Sequence, residues 1–181
     1  MRLVIGTPSV EPVTVEEVKA HLRVTNNDED EYIESLIPVA REWCETFQGR
    51  SWITRSIDFF IDAWPQSPLM LPRPPIQEII SITYTTDSGQ YTVPEEAYVL
   101  NPMGELCING YMPNETVQFT KVTYKAGYGN DPSSVPNRNK QAMLLMISHW
   151  FENREITSGT TVNSIPYTAE ALLNQERIIT A

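Results

Sequence analysis

His149 is the residue in this sequence best suited to acid–base chemistry, and Glu152 lies three residues after it. An imidazole that titrates near neutral pH can act as a general base, and Glu152 or Asp131 could orient it. A small intracellular hydrolase that uses His149 is therefore one hypothesis. The alternative is a packed or hydrogen-bonded structural histidine, and the sequence favours it because no Ser or Cys nucleophile is placed for His149 by the sequence pattern.

Other catalytic and ligand-binding motifs are incomplete. No GxSxG, HExxH or GxxxxGK[ST] motif occurs, and Pro132 stands where a dinucleotide fingerprint starting at Gly127 needs its third glycine. The acidic run 28–31 lacks the mid-loop glycine and last glutamate of a calcium loop, so helix capping explains it better. Cys44 and Cys107 have no CxxC spacing, which argues against a zinc site or a disulfide framework. We therefore predict a protein that is not an enzyme, with no catalytic, cofactor-binding or metal-binding residues.

The composition describes an acidic protein with enough apolar residues for a core. The 181 residues include 13 Lys and Arg against 23 Asp and Glu, a formal charge of −10, and 41% are hydrophobic. Duplex DNA is held through clustered Lys and Arg, and no such cluster is present. Arg41, Arg50 and Arg55 have acidic neighbours such as Glu42 and Glu45, so we expect ion pairs on a solvated face. A nucleic-acid-binding module is the less favoured hypothesis.

The negative charge is concentrated before the last third of the chain. Residues 131–181 carry 4 basic and 5 acidic side chains and are nearly neutral. Residues 1–6 hold too few apolar side chains for a signal peptide or a membrane span. We therefore expect a soluble, intracellular protein with no membrane partner.

Helical periodicity occurs in three long segments. Thr14 and Glu17 form a capping-box pattern, and Asp28 is placed to cap a longer helix that Gly49 should end. The predicted helices cover residues 14–24, 28–48 and 137–153. On the third helix the predicted apolar face consists of Ala142, Leu145, Met146, His149 and Trp150.

The middle of the chain has the alternating pattern of short strands. Eight of the 14 prolines lie between Pro65 and Pro113, which disfavours helices there. The predicted strands cover residues 53–62, 69–71, 79–86, 90–93, 98–100, 105–108 and 117–125. The predicted fold class is α+β, a helical bundle with an inserted small antiparallel β domain and a C-terminal arm. The predicted divisions are 1–55 (helical), 56–130 (β-rich insertion), 131–155 (helix completing the bundle) and 156–181 (arm).

The arm at 156–181 places apolar residues in a polar background, with one short predicted helix at 168–175. Such a segment cannot bury its apolar side chains within itself, so we expect it to order only on a partner. The candidate partner-docking residues are Ile156, Ile165, Tyr167, Leu172, Leu173, Ile178 and Ile179.

Several runs, taken in order, resemble the head-tail connector (adaptor) family of tailed bacteriophages, whose members are often described as DNA-packaging proteins. These runs are EPVTVEEVKAHLRV at 11–24, GRSWIT at 49–54, LPRPPI at 71–76, VTYKAGY at 122–128 and HWFENRE at 149–155. The resemblance covers about residues 10 to 156. Compact members are small helical bundles, whereas the strand-rich segment 56–125 matches a longer subgroup.

The resemblance implies a structural protein of the virion neck, present in the host cytoplasm during assembly. Members form a ring, usually of twelve copies, that docks beneath the portal protein and prolongs the DNA channel. The ring presents a platform for a stopper or tail-completion protein, and duplex DNA passes through without specific binding. An acidic wall suits such a conduit because it repels phosphates. The arm would then contact the portal or a neighbouring copy, and a stopper-type neck or tail-completion protein is the alternative role.

Overall fold

The computed structural model describes residues 1–154 and 166–178, and the chain forms two compact units. One unit consists of Met1–Ser9 and Thr54–Tyr128, and the other of the described parts of Val10–Ile53 and Gly129–Ala181. We call them the β unit and the helical unit. The fold is α+β, as predicted, with strands inserted between helical segments. Residues 1–9 differ from the predicted division, because they belong with the strands.

The β unit contains two antiparallel sheets. One has five strands in the order β1-β2-β8-β4-β5, and the other has three in the order β3-β7-β6. The strands are β1 (Arg2–Ile5), β2 (Arg55–Ile61), β3 (Leu69–Met70), β4 (Ile76–Thr86), β5 (Gly89–Thr92), β6 (Tyr98–Leu100), β7 (Glu105–Ile108) and β8 (Phe119–Ala126). Seven of them coincide with predicted strands, and β1 was not predicted.

Alternation along the strands builds the core of the β unit. On β2 the side chains of Ile57, Phe59 and Ile61 are buried, while the intervening side chains are more exposed. Ile57 of β2 lies opposite the buried Tyr124 of β8, whose hydroxyl donates to the carbonyl of Pro72 at 2.7 Å. The buried phenol thus has a partner for its polar end.

The helical unit contains α1 (Val15–Leu22), α2 (Asp30–Gln48), α3 (Asn137–Glu152) and α4 (Tyr167–Asn174). The capping box of α1 is confirmed. The Glu17 amide donates to Thr14 Oγ1 at 3.2 Å, and the Thr14 amide donates to Glu17 Oε2 at 2.8 Å. Two backbone donors that the helix cannot use are satisfied by this exchange.

The predicted start of α2 is wrong, and its predicted end is right. Asp28 does not cap the helix; its carboxylate accepts from the Asn26 side chain at 3.0 Å, and Glu29 occupies the N-cap position without a side-chain cap. Gly49 ends the helix at φ 71°, a left-handed conformation that glycine adopts without a Cβ penalty.

The buried face of α3 is rotated from the predicted one. Leu145, His149 and Trp150 are only half-buried. The buried residues are Asn139, Ala142, Met143, Met146 and Ile147. Because residues 142–147 are apolar on nearly every side of the helix, the sequence pattern could not fix which face packs inward.

Candidate functional site

The described part of the C-terminal segment, residues 166–178, packs within the helical unit. Leu173 and Ala169 of α4 are fully buried. The Gln48 side-chain amide donates to the Leu173 carbonyl at 3.1 Å, and the Ile178 amide donates to the Gln48 carbonyl at 2.9 Å. The prediction that this segment orders only on a partner is therefore wrong for residues 166–178, because α4 packs against α3 and α2 of the same chain.

Charged side chains also fix the segment. Arg50 Nε donates to the Glu176 carbonyl at 2.7 Å, and Arg138 pairs with the Glu176 carboxylate. The Arg177 guanidinium lies 4.4 Å from the centre of the Phe47 ring, a cation–π contact. Gln48, at the end of α2, is the organising residue, since its side chain also accepts from the Trp52 indole at 2.8 Å.

The seven candidate docking residues differ in their exposure to solvent. Leu173 is buried, and Leu172 and Ile178 are partly buried. Tyr167, by contrast, is 83% exposed at the first position of α4. Ile156, Ile165 and Ile179 lie outside the described residues. Tyr167 is therefore the large apolar side chain of the described set that remains available for a partner.

His149 is not assembled into a catalytic site. Its ring Nδ1 lies 3.5 Å from Asn153 Nδ2, and the carbonyl of His149 accepts from the same amide at 2.8 Å. Among the residues that the structure describes, His149 makes no hydrogen bond or ion pair with Asp131 or Glu152. The arrangement is a contact at the end of α3, and within residues 1–154 and 166–178 no carboxylate hydrogen-bonds to the imidazole.

Arg41 lies in a buried ion-pair network, so its predicted position on a solvated face is wrong. Its Nε donates to Glu11 Oε2 at 2.7 Å, and a terminal nitrogen donates to Glu45 Oε2 at 3.1 Å. The other Glu45 oxygen accepts from the Trp52 amide at 2.7 Å. Burial alone would lower the pKa of Arg41, but the carboxylates of Glu11 and Glu45 outweigh it and raise that pKa. The network ties α2 to the chain on both sides of it.

The exposed surface of α1 and α2 is acidic. Five glutamates on these helices are exposed: Glu16, Glu17, Glu31, Glu34 and Glu42. The backbone amide and the Thr14 side chain near Glu16 lower the pKa of its carboxyl, so it stays ionised at neutral pH. A surface of this kind repels phosphate groups rather than binding them.

Within 1–154 and 166–178, no group of three or more His, Cys, Asp or Glu side chains could hold a metal ion. No helix in the same part of the chain has the length and apolarity needed to cross a bilayer.

The two cysteines should differ sharply in reactivity. Burial raises the pKa of the Cys44 thiol to about 12, with a smaller contribution from the Glu45 charge, so the reactive thiolate is scarce at pH 8. Cys107 is only half-buried. We expect an aromatic disulfide reagent at pH 8 to label one thiol per native chain and two per denatured chain, and Cys107→Ser to abolish native labelling. Rapid native labelling of Cys107→Ser would show that Cys44 is accessible.

The sequence matches a known protein family over most of its length. The profile of the head completion protein family matches residues 11–179, nearly the whole sequence. The chain belongs to the head completion protein family. This membership agrees with the resemblance to head-tail connectors found in the sequence. No curated protein gives a significant match to this head completion protein.

Solved structures of gene transfer agent (GTA) particles share the fold of the head completion protein. A chain of the native GTA virion is 22% identical, with a TM-score of 0.77. A chain of the neck of an empty GTA particle, computed with C6 symmetry, is 21% identical with a TM-score of 0.79. A chain of the native neck, computed with C12 symmetry, is 22% identical with a TM-score of 0.75. Each likeness covers 100% of this chain and 97% of the other.

Proposed function

We propose that this head completion protein is a non-enzymatic, structural part of the neck that joins the head of a tailed phage or phage-like particle to its tail. The observation that carries the proposal is the family match over residues 11–179. The shared fold with chains from GTA necks supports it.

The proposed assembly is a closed ring of copies, twelve in number, between the portal protein and a stopper or tail-completion protein. The native GTA neck computed with C12 symmetry supports that number. A ring uses heterologous contacts, in which one face of a subunit meets a different face of the next. The acidic surface of α1 and α2 would repeat around such a ring, and duplex DNA would pass through the channel without being held.

Tyr167 is the proposed anchor of the contact between the C-terminal segment and the portal or a neighbouring copy. A large exposed aromatic side chain on a firmly held helix can enter a partner's pocket with little loss of conformational entropy. The docking hypothesis also includes Leu172 and Ile178, and beyond the described residues Ile156, Ile165 and Ile179. Leu173 is withdrawn from it, because this side chain is already buried within the helical unit.

Deleting the gene from the phage or particle that encodes the protein tests the role. We expect DNA-filled heads and separate tails to accumulate, and infectivity to be lost, because the head-to-tail joint is missing. Complementation with the intact protein should restore joined particles, as counted by negative-stain electron microscopy. Normal yields of tailed, infectious particles from the deletion strain would contradict the proposal.

A further inference from the structure

The β unit contains an open cleft beside the three-stranded sheet. Its volume is about 570 Å³, within the range of ligand and peptide sites. Two loops and the end of β7 form its walls. The apolar part of the lining is Trp64, Pro65, Ile108, Tyr111 and Met112. We call this site the Trp64 cleft.

The aromatic walls of the Trp64 cleft are held in place by neighbouring groups. The Trp64 ring packs edge-on against Tyr84, with ring centres 5.4 Å apart, and lies 5.9 Å from Tyr111. The hydroxyl oxygens of Tyr84 and Tyr111 are 3.1 Å apart, a hydrogen bond. The Ile108 amide donates to Ser67 Oγ at 2.8 Å, which joins the end of β7 to the loop that carries Trp64. The cleft is therefore preformed, and a ligand would lose little binding energy in ordering it.

The chain segment that contributes Ile108, Tyr111 and Met112 to the Trp64 cleft carries only negative charges. Between Arg73 and Lys121 there is no Lys or Arg, whereas there are six acidic residues. The hydrogen bond to Tyr111 raises the pKa of Tyr84, and the negative charge of Glu115 makes a smaller contribution. Burial raises the pKa of Tyr98, with a contribution from the charge of Glu95, and Tyr98 lies directly opposite Ile108 in the sheet. Hydrogen bonds from Thr86 and Ser88 lower the pKa of Glu115, so its charge persists at neutral pH.

We propose that the Trp64 cleft binds an extended segment of another protein that has an arginine on each side of an apolar residue or a proline. A guanidinium group stacks well on indole and phenol rings, and the acidic residues of segment 74–120 attract its positive charge. The apolar residue would pack against Ile108 and Met112, the latter 71% exposed. This inference concerns the β unit and does not depend on ring formation or on a role in the neck.

The occupant is a different protein rather than a second copy of this chain. The 13 Lys and Arg of the sequence are scattered, and the two closest together are Arg138 and Lys140. Both lie within α3, which is helical and cannot offer an extended basic segment. Charge complementarity therefore favours a basic segment from elsewhere.

Nuclear magnetic resonance on the full-length, ¹⁵N-labelled protein tests the proposal. The probe is the peptide acetyl-Gly-Arg-Pro-Arg-Gly-amide, and the matched control peptide has Glu in place of each Arg. We expect the Arg peptide to shift the indole N–H signal of Trp64, identified with Trp64→Phe, and the affinity to fall as salt rises. No shift of that signal at millimolar Arg peptide, or an equal shift with the Glu peptide, would overturn the proposal.

Two variants with the same chemical change sharpen the test. Met112→Lys places a cation in the cleft and should weaken binding of the Arg peptide about tenfold or more. Met70→Lys is the control, because Met70 is 65% exposed but does not line the cleft, and it should bind the peptide like the unaltered protein. Equal binding by both variants would contradict the assigned site. Altered self-association of Met112→Lys in sedimentation would contradict the choice of a foreign occupant.

Discussion

Arg41→Met is expected to lower the free energy of unfolding by about 3–5 kcal/mol, the range for breaking a buried ion pair from one side. The side chains of Arg41 and Glu45 are only 4% and 3% exposed. Without the guanidinium, the Glu45 carboxylate stays buried with its charge uncompensated, although the Trp52 amide still donates to it. Urea unfolding followed by circular dichroism measures the loss.

Lys125→Met provides the matched control for Arg41→Met. Lys125 pairs with Glu78 at 2.6 Å, but the two side chains are 48% and 55% exposed. An exposed pair of this kind contributes at most about 1 kcal/mol, because water and salt screen it. Similar losses for the two variants would contradict the importance assigned to the buried network.

Leu173→Ala is expected to lower the free energy that holds α4 against the helical unit by about 2–5 kcal/mol, the range for truncating a buried leucine. Leu173 is fully buried, and its carbonyl accepts from Gln48. Loss of the side chain should expose residues 166–178 to exchange and cleavage before the rest of the helical unit unfolds. Hydrogen exchange read by mass spectrometry, with limited proteolysis, detects this order of events.

Tyr167→Ala separates folding from docking in the same helix. Since Tyr167 is 83% exposed, its truncation should leave hydrogen exchange in α4 unchanged. The proposed anchor role predicts fewer joined particles in a complementation assay with this variant. If Tyr167→Ala joins heads to tails normally while Leu173→Ala does not, the anchor role is wrong and the helix acts only through its packing.

The parts of the fold that depend on local patterns were predictable from the sequence. The capping box at Thr14, the stop at Gly49 and the alternation in β2 each need only a few neighbouring residues. The Pro-rich middle excluded helices without any knowledge of the tertiary structure. These signals were enough to predict an α+β protein with inserted strands.

The parts that depend on distant contacts were not predictable. Strand β1 exists because Arg2–Ile5 pairs with β2, more than fifty residues away, and four residues carry too little pattern of their own. The packing of 166–178 depends on Gln48, which the sequence offers no reason to connect with Leu173.

In the candidate site, too, the sequence indicated the residues but not their burial, which depends on distant contacts. Glu45 was recognised as an acidic neighbour of Arg41, but the buried network also includes Glu11 and Trp52, which lie on either side of α2 in the chain. Tyr167 was recognised as a candidate anchor. The sequence did not predict that Tyr167 is exposed while Leu173 is buried, because this depends on which face of α4 packs against the rest of the helical unit.

Cryo-electron microscopy of the neck of purified particles tests the central claim most directly. We expect reconstruction with relaxed symmetry to show a closed ring of this chain between the portal protein and the first tail-side protein. The ring should contain twelve copies around the DNA channel. We also expect Tyr167 to lie at the contact with the portal or a neighbouring copy. Density for this chain that is absent from the neck, or present there as isolated copies that do not close a ring, would contradict it.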